Sequence, residues 1–203
     1  MSEDLIIRHC APTLAGLKTG NMFTATFANE SQLNTEVQQL NQILTEKGLR
    51  VTVLRIACYA GSADGCSKGG SGGCIRALLY IYRPGRLQND LNMEEAKDLL
   101  ARFGYDVSNP EDCIRRLSDR IHECDDFPHE VGLFLGYPPE DVEGFIDFGG
   151  RKSKACGYWK VYGDVDRAQK QFARFSKCTG VYLKCLERGL PIAKLAVSKR
   201  ATA

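Results

Sequence analysis

Three side chains in this 203-residue chain are placed to do chemistry: the thiol of Cys10, the imidazole of His129 and the carboxylate of Glu130. Cys10 lies in "RHCAPTLAGLKTGN", residues 8 to 21, two residues before Pro12. Proline favours the first turn of a helix, so the segment predicts a helix opening at Pro12 with Cys10 at or just before its N-terminus. The positive end of a helix stabilises a thiolate, the nucleophilic form of cysteine. His9 is a poor base for it, because neighbours in an extended segment point opposite ways. His129 and Glu130 stand near the start of "FPHEVGLFLGYPPEDVEGF", residues 127 to 145. Read as a strand over 129–136, this stretch puts His129 on one side with Val131, Leu133 and Leu135, and Glu130 on the other with Gly132, Phe134 and Gly136. A thiol opening a helix and an imidazole heading a later strand make the couple of papain-like Cys/His enzymes, in which the imidazole takes the thiol proton. The plain alternative has Cys10 as a core thiol, His129 satisfied by backbone groups, and Glu130 capping the helix at Pro139 or pairing with Arg83.

A second set of residues suits recognition. "YIYRP" supplies Tyr82 and Arg83, and "GYWKVY" supplies Trp159 and Lys160, so aromatic faces alternate with cationic tips. Such a combination can line a pocket with an anion handle, and Lys18 is a further anion contact. The same tyrosines would also suit a half-buried sheet face. "GGSGG" is not a phosphate loop, because it lacks the Gly-Lys-Ser/Thr ending.

Composition narrows the class. Lys and Arg number 27 against 25 Asp and Glu, a formal net charge of +2, which lacks the basic footprint of a nucleic-acid binder. No apolar run reaches the roughly 18 to 20 residues of a membrane span, and "MSEDLIIRHC" begins with acids where a signal peptide is basic, so a cytoplasmic location is expected. Nine cysteines is an odd number, and no Cys-x-x-Cys pair occurs, so they read as thiols and not as disulfides or metal ligands. Two regular spacings, Cys58, Cys66 and Cys74 eight apart and Cys178 and Cys185 seven apart, give only a weak metal signal, and no cofactor is indicated.

The elements that must position these groups follow from periodicity. "QLNTEVQQLNQILTEK", 32–47, is an amphipathic helix ended by Gly48. "RVTVLRIACY" and "CIRALLYIYRP" are strands. The Gly/Cys-rich segment 57–74 between them reads as a flexible loop insertion. "NMEEAKDLLARFGY", "NPEDCIRRLSDRIHE" and "PPEDVEGFIDFGG" each carry helix start and stop signals. "CGYWKVYGD" reads as a strand, and 165–188 as a long helix with Ala168, Phe172, Phe175, Cys178, Tyr182 and Cys185 on its buried face. The whole chain, 1–203, predicts one α+β domain: a small mixed sheet of about four strands packed by five or six helices.

Several segments together, "HCAPTLAGLKTGN", "YIYRP", "FPHEVGLFLGYPPEDVEGFI", "GYWKVYGD" and "KCTGVY", resemble the bacterial family called domain of unknown function 3793 across nearly the whole chain. That resemblance implies a cytosolic protein of about this length, found largely in anaerobes, with no activity assigned. It implies motif positions at Cys10, Lys18, Arg83, His129, Glu130, Gly136, Tyr137, Trp159 and Lys160, while the 57–74 insertion departs from the pattern. Two main functional expectations result. One is a Cys10/His129 hydrolase or transferase, with Glu130 in the site and Lys18, Tyr82, Arg83, Tyr137, Trp159 and Lys160 holding a small anionic substrate. The other is a non-catalytic small-ligand or regulatory module using the same pocket. A thiol redox role is a third reading, without a Cys-x-x-Cys motif behind it.

Overall fold

The computed structural model describes residues 1–58, 74–123 and 126–198, so most of the predicted 57–74 loop, with Cys66, lies outside the described residues. Along the chain run α1 (Glu3–Leu14), β1 (Gly20–Phe27), α2 (Glu30–Thr45), β2 (Arg50–Cys58), β3 (Ile75–Tyr82), α3 (Pro84–Leu91), α4 (Glu94–Ala101) and α5 (Pro110–Glu123). They are followed by α6 (Val131–Phe134), α7 (Pro139–Phe148), β4 (Ala155–Cys156), β5 (Lys160–Val161), α8 (Val165–Glu187) and α9 (Ile192–Leu195). None of the described helices is long and apolar enough to cross a membrane.

The fold is α+β, as expected, but the sheet differs in detail. Three strands pair antiparallel in the order β1-β3-β2, and β4 and β5 form a separate two-stranded hairpin. Central β3 explains why its sequence loses polar alternation, since both of its faces are covered. Ile75, Ala77, Leu79 and Ile81 join Phe23, Phe27 and Val51 in a core with α1, α2, α8 and α9. Tyr80 and Tyr82 face the other way, into a core built by α3 to α7. Between Val53 and Arg55 the register of β2 shifts, and the extra residue, Leu54, is buried in this second core. The Ser118 hydroxyl on α5 donates to the Leu54 carbonyl at 2.6 Å, which satisfies a group the bulge leaves off the ladder.

Two elements depart from the sequence expectation, and both carry candidate residues. The first helix starts at Glu3, not Pro12: the Ser2 hydroxyl accepts from the Leu5 amide, Glu3 and Asp4 fill the first turn, and Pro12 sits in the last. Burial of Ile6, Ile7, Cys10 and Leu14 on one face outweighs the break that proline signals. The stretch 129–136 is not a strand. Glu130 is in the right-handed helical region at φ −61°, ψ −12°, the turn α6 follows, and Gly136 at φ 73° ends it.

Candidate functional site

Cys10 lies in the final turns of α1 with no exposed surface, inside the core against β1 and α8. Burial pushes its thiol far above the ordinary range, and the nearby Lys18 charge offsets this only in part. His129 leads into α6 on the opposite face of the sheet, where its exposed ring packs edge-on against Phe145 at 4.8 Å. The expected Cys10/His129 couple is therefore absent: the helix opens at Glu3, nine residues before Pro12, so the thiol sits within it and points into hydrocarbon. Mass-spectrometric mapping of alkylation in the folded protein should find Cys10 and Cys113, both without exposed surface, unmodified until denaturant is added, while exposed Cys156 reacts. Rapid labelling of native Cys10 would contradict this packing.

Glu130 is 1% exposed and accepts hydrogen bonds from the Tyr105 hydroxyl, at 3.1 Å, and from Arg120 Nε. The Arg120 guanidinium lies over the Phe103 ring, 4.8 Å from its centroid. Because the backbone is helical here, Glu130 turns inward and ties α6 to α5, while His129 turns out. The carboxylate expected in the catalytic set is thus an internal anchor.

Four of the expected residues do come together. His129, Tyr137, Trp159 and Lys160 line a cavity of about 330 Å³ between α6, α7 and the β4–β5 hairpin, with Val142 and Phe145 as its apolar wall. Trp159 is stacked on Tyr137 at 4.8 Å and meets the edge of Phe172, on α8, at 4.5 Å. Its indole N–H donates to Asp141 Oδ2 at 2.7 Å. Asp141 Oδ1 accepts from the amides of Tyr162 and Gly163 at 2.7 and 2.8 Å, so one buried carboxylate in the first turn of α7 holds the hairpin and orients the indole. Two glycines permit the close approach. A Cβ at Gly144 would stand 2.4 Å from the Tyr162 ring, and one at Gly157 would stand 2.3 Å from Phe172. Asp141, Phe145 and Cys156 were not among the expected site residues. Asp141 reads in sequence as a helix-opening acid, and only the folded hairpin reveals its partners.

The remaining recognition residues lie elsewhere. Lys18 is 3% exposed, donates to the Gly20 carbonyl at 2.8 Å and sits 5.0 Å from the Tyr137 ring centroid, behind the aromatic wall instead of within the cavity. Burial lowers its ammonium pKa to about 7. Tyr82 stacks on Tyr80 at 4.7 Å in the second core. Arg83, 5% exposed, donates to the carbonyls of Thr13, Leu14 and Val197 at 2.7 to 2.8 Å and to that of Lys47 at 3.3 Å. It closes the C-terminal ends of α1 and α2, where carbonyls lack helical partners. The Lys160 side chain, by contrast, makes no hydrogen bond or ion pair among the described residues. No group of three His, Cys, Asp or Glu among the described residues is arranged to hold a metal ion.

Neither a curated protein nor a solved structure matches the chain. A family model described as protein of unknown function (DUF3793) matches residues 6–196, which include every candidate site residue above. The chain belongs to that family.

Proposed function

We propose that the protein is a small-ligand-binding module whose cavity at Trp159 takes an acidic molecule with a flat, apolar body. The observation that carries this reading is the pairing of an aromatic and aliphatic wall, Trp159, Phe145 and Val142, with two basic side chains, His129 and Lys160, that have no acidic partner among the described residues. The one carboxylate of the lining, Asp141, already accepts three hydrogen bonds. A volume of about 330 Å³ suits a one- or two-ring acid. Thiol chemistry is the second reading, favoured by one observation: exposed Cys156 lines the same cavity as His129, as Cys10 does not.

Trp159 is the single tryptophan of the chain, so its fluorescence reports on this cavity alone. Titration with 1-naphthoate and indole-3-carboxylate should quench it saturably, with the matching neutral amides weaker. Lys160→Ala should weaken the acids by about tenfold, the scale of one charge-assisted hydrogen bond, and leave the amides unchanged. Equal binding of acid and amide, or no saturation by either, would refute the proposal. Time-dependent, Cys156-dependent modification by the thioester of the same acid would favour the thiol reading over it.

A further inference from the structure

A second cavity, of about 670 Å³, opens where the ends of α1, α2, β2 and α3 meet the segment after α9, and it shares no lining residue with the first. Three guanidinium groups line it, those of Arg50, Arg83 and Arg86, against a single carboxylate, Asp90. Nothing in the described chain neutralises them directly, since none of the three forms an ion pair. Arg83 is committed to backbone carbonyls, as described above. Arg86 spends one bond on the Gly16 carbonyl, at 2.6 Å, which leaves most of its fork open. Arg50 is exposed and its side chain makes no hydrogen bond among the described residues. Asp90 is bound by the Thr19 hydroxyl.

The cluster carries an electrostatic cost. Burial pulls the Arg83 pKa down, and the charge of Arg86 pulls it down further, which is the repulsion between them expressed as proton affinity. Asp90 is the one acid among them: burial raises its pKa, and the Thr19 hydroxyl and the Arg86 charge lower it. Converging arginines of this kind are relieved by an anion that spreads charge over several oxygens, and the guanidinium fork matches phosphate geometry.

The rest of the lining says what the anion is attached to. No aromatic side chain is present to stack a base; the polar contacts are Thr45, Asn89 and Ser198. Those groups suit hydroxyls. We propose that this cavity binds a phosphorylated sugar or polyol, with Arg50 and Arg86 on the phosphate and Arg83 supporting from behind. This site is independent of the Trp159 cavity, and either assignment can fail alone.

The test is calorimetric titration of the full chain with ribose 5-phosphate, inorganic phosphate and ribose. Ribose 5-phosphate should bind saturably, with a Kd of about 10 µM to 1 mM that rises with ionic strength; phosphate should bind more weakly, and ribose not at all. Arg50→Gln and Arg86→Gln should each weaken the sugar phosphate at least fivefold, while Lys160→Ala should not. Both arginines lie outside the buried network of Arg83, and a thermal melt on each variant verifies folding. No saturable binding of ribose 5-phosphate up to about 10 mM, or equal affinity in the wild type and both glutamine variants, would overturn the proposal. Phosphate binding as tightly as ribose 5-phosphate would overturn the sugar assignment.

Discussion

Glu130→Ala should lower the free energy of unfolding by about 2–3 kcal/mol, the scale of losing a charge-assisted hydrogen bond in a buried site. The size follows from what is left behind. The Arg120 side chain is 17% exposed and packs on Phe103, so the variant takes from it the buried carboxylate it donates to, and the Tyr105 hydroxyl loses its acceptor. Desolvation raises the Tyr105 pKa above its ordinary range, and the Glu130 charge adds to this in the wild type. Urea unfolding measures the loss. Because part of the penalty belongs to the lost Arg120–Glu130 pair, Glu130→Ala should cost less in an Arg120→Met background than in the wild type. If Glu130 instead served ligand chemistry, its removal would leave stability nearly unchanged and abolish activity at the Trp159 cavity.

This pair also shows where sequence reading reached its limit. The motif "FPHEVGLFLGYPP" marks an important segment, but whether it folds as strand or helix decides which of His129 and Glu130 faces inward. A short apolar run does not decide that by periodicity alone. Gly136 at positive φ closes a helical turn, and the alternation expected of a strand never arises. The same ambiguity misplaced Cys10, where Pro12 spoke for a start and Ser2-Glu3-Asp4 spoke for an earlier one. The earlier start won because the Ser2 cap and the buried face of Ile6, Ile7, Cys10 and Leu14 outweigh the backbone bond that Pro12 forfeits. β1 then went unread although Phe23, Ala25 and Phe27 alternate with exposed Thr24 and Thr26.

Elements with two agreeing signals were legible. The helices now seen as α2, α5, α7 and α8 lie within two residues of the expected boundaries, each having both a periodic face and a cap or breaker. In the candidate site, residue types were readable and their grouping was not. Trp159 and Lys160 were expected beside Arg83, but Arg83 is drawn off by the helix ends it closes, and the true companions, Asp141 and Phe145, come from α7. Pairing across the chain depends on which carbonyls a fold leaves unsatisfied, and no local pattern encodes that.

Lys18→Met should change the pH dependence of stability more than any other single substitution considered. Lysine in an unfolded chain holds its proton up to about pH 10.4, whereas burial lowers the folded value to about 7. Between these values the unfolded state binds the extra proton, so wild-type stability rises as pH climbs from about 7 towards 10, and below 7 the full cost of burying the charge is present. At ~1.4 kcal/mol per pH unit that cost approaches about 5 kcal/mol, from which the cation–π contact with Tyr137 returns roughly 1–2 kcal/mol. Methionine fills the same space without charge but forfeits the bond to the Gly20 carbonyl, worth about 1 kcal/mol. The variant should therefore be more stable than the wild type by about 2–3 kcal/mol at pH 6 and no more stable, or slightly less, at pH 10. Urea unfolding at pH 6, 8 and 10 measures both chains, and the difference between them cancels every other titrating group. Parallel pH profiles would mean that the Lys18 ammonium stays charged in the fold, with water or another group reaching it behind the Tyr137 ring.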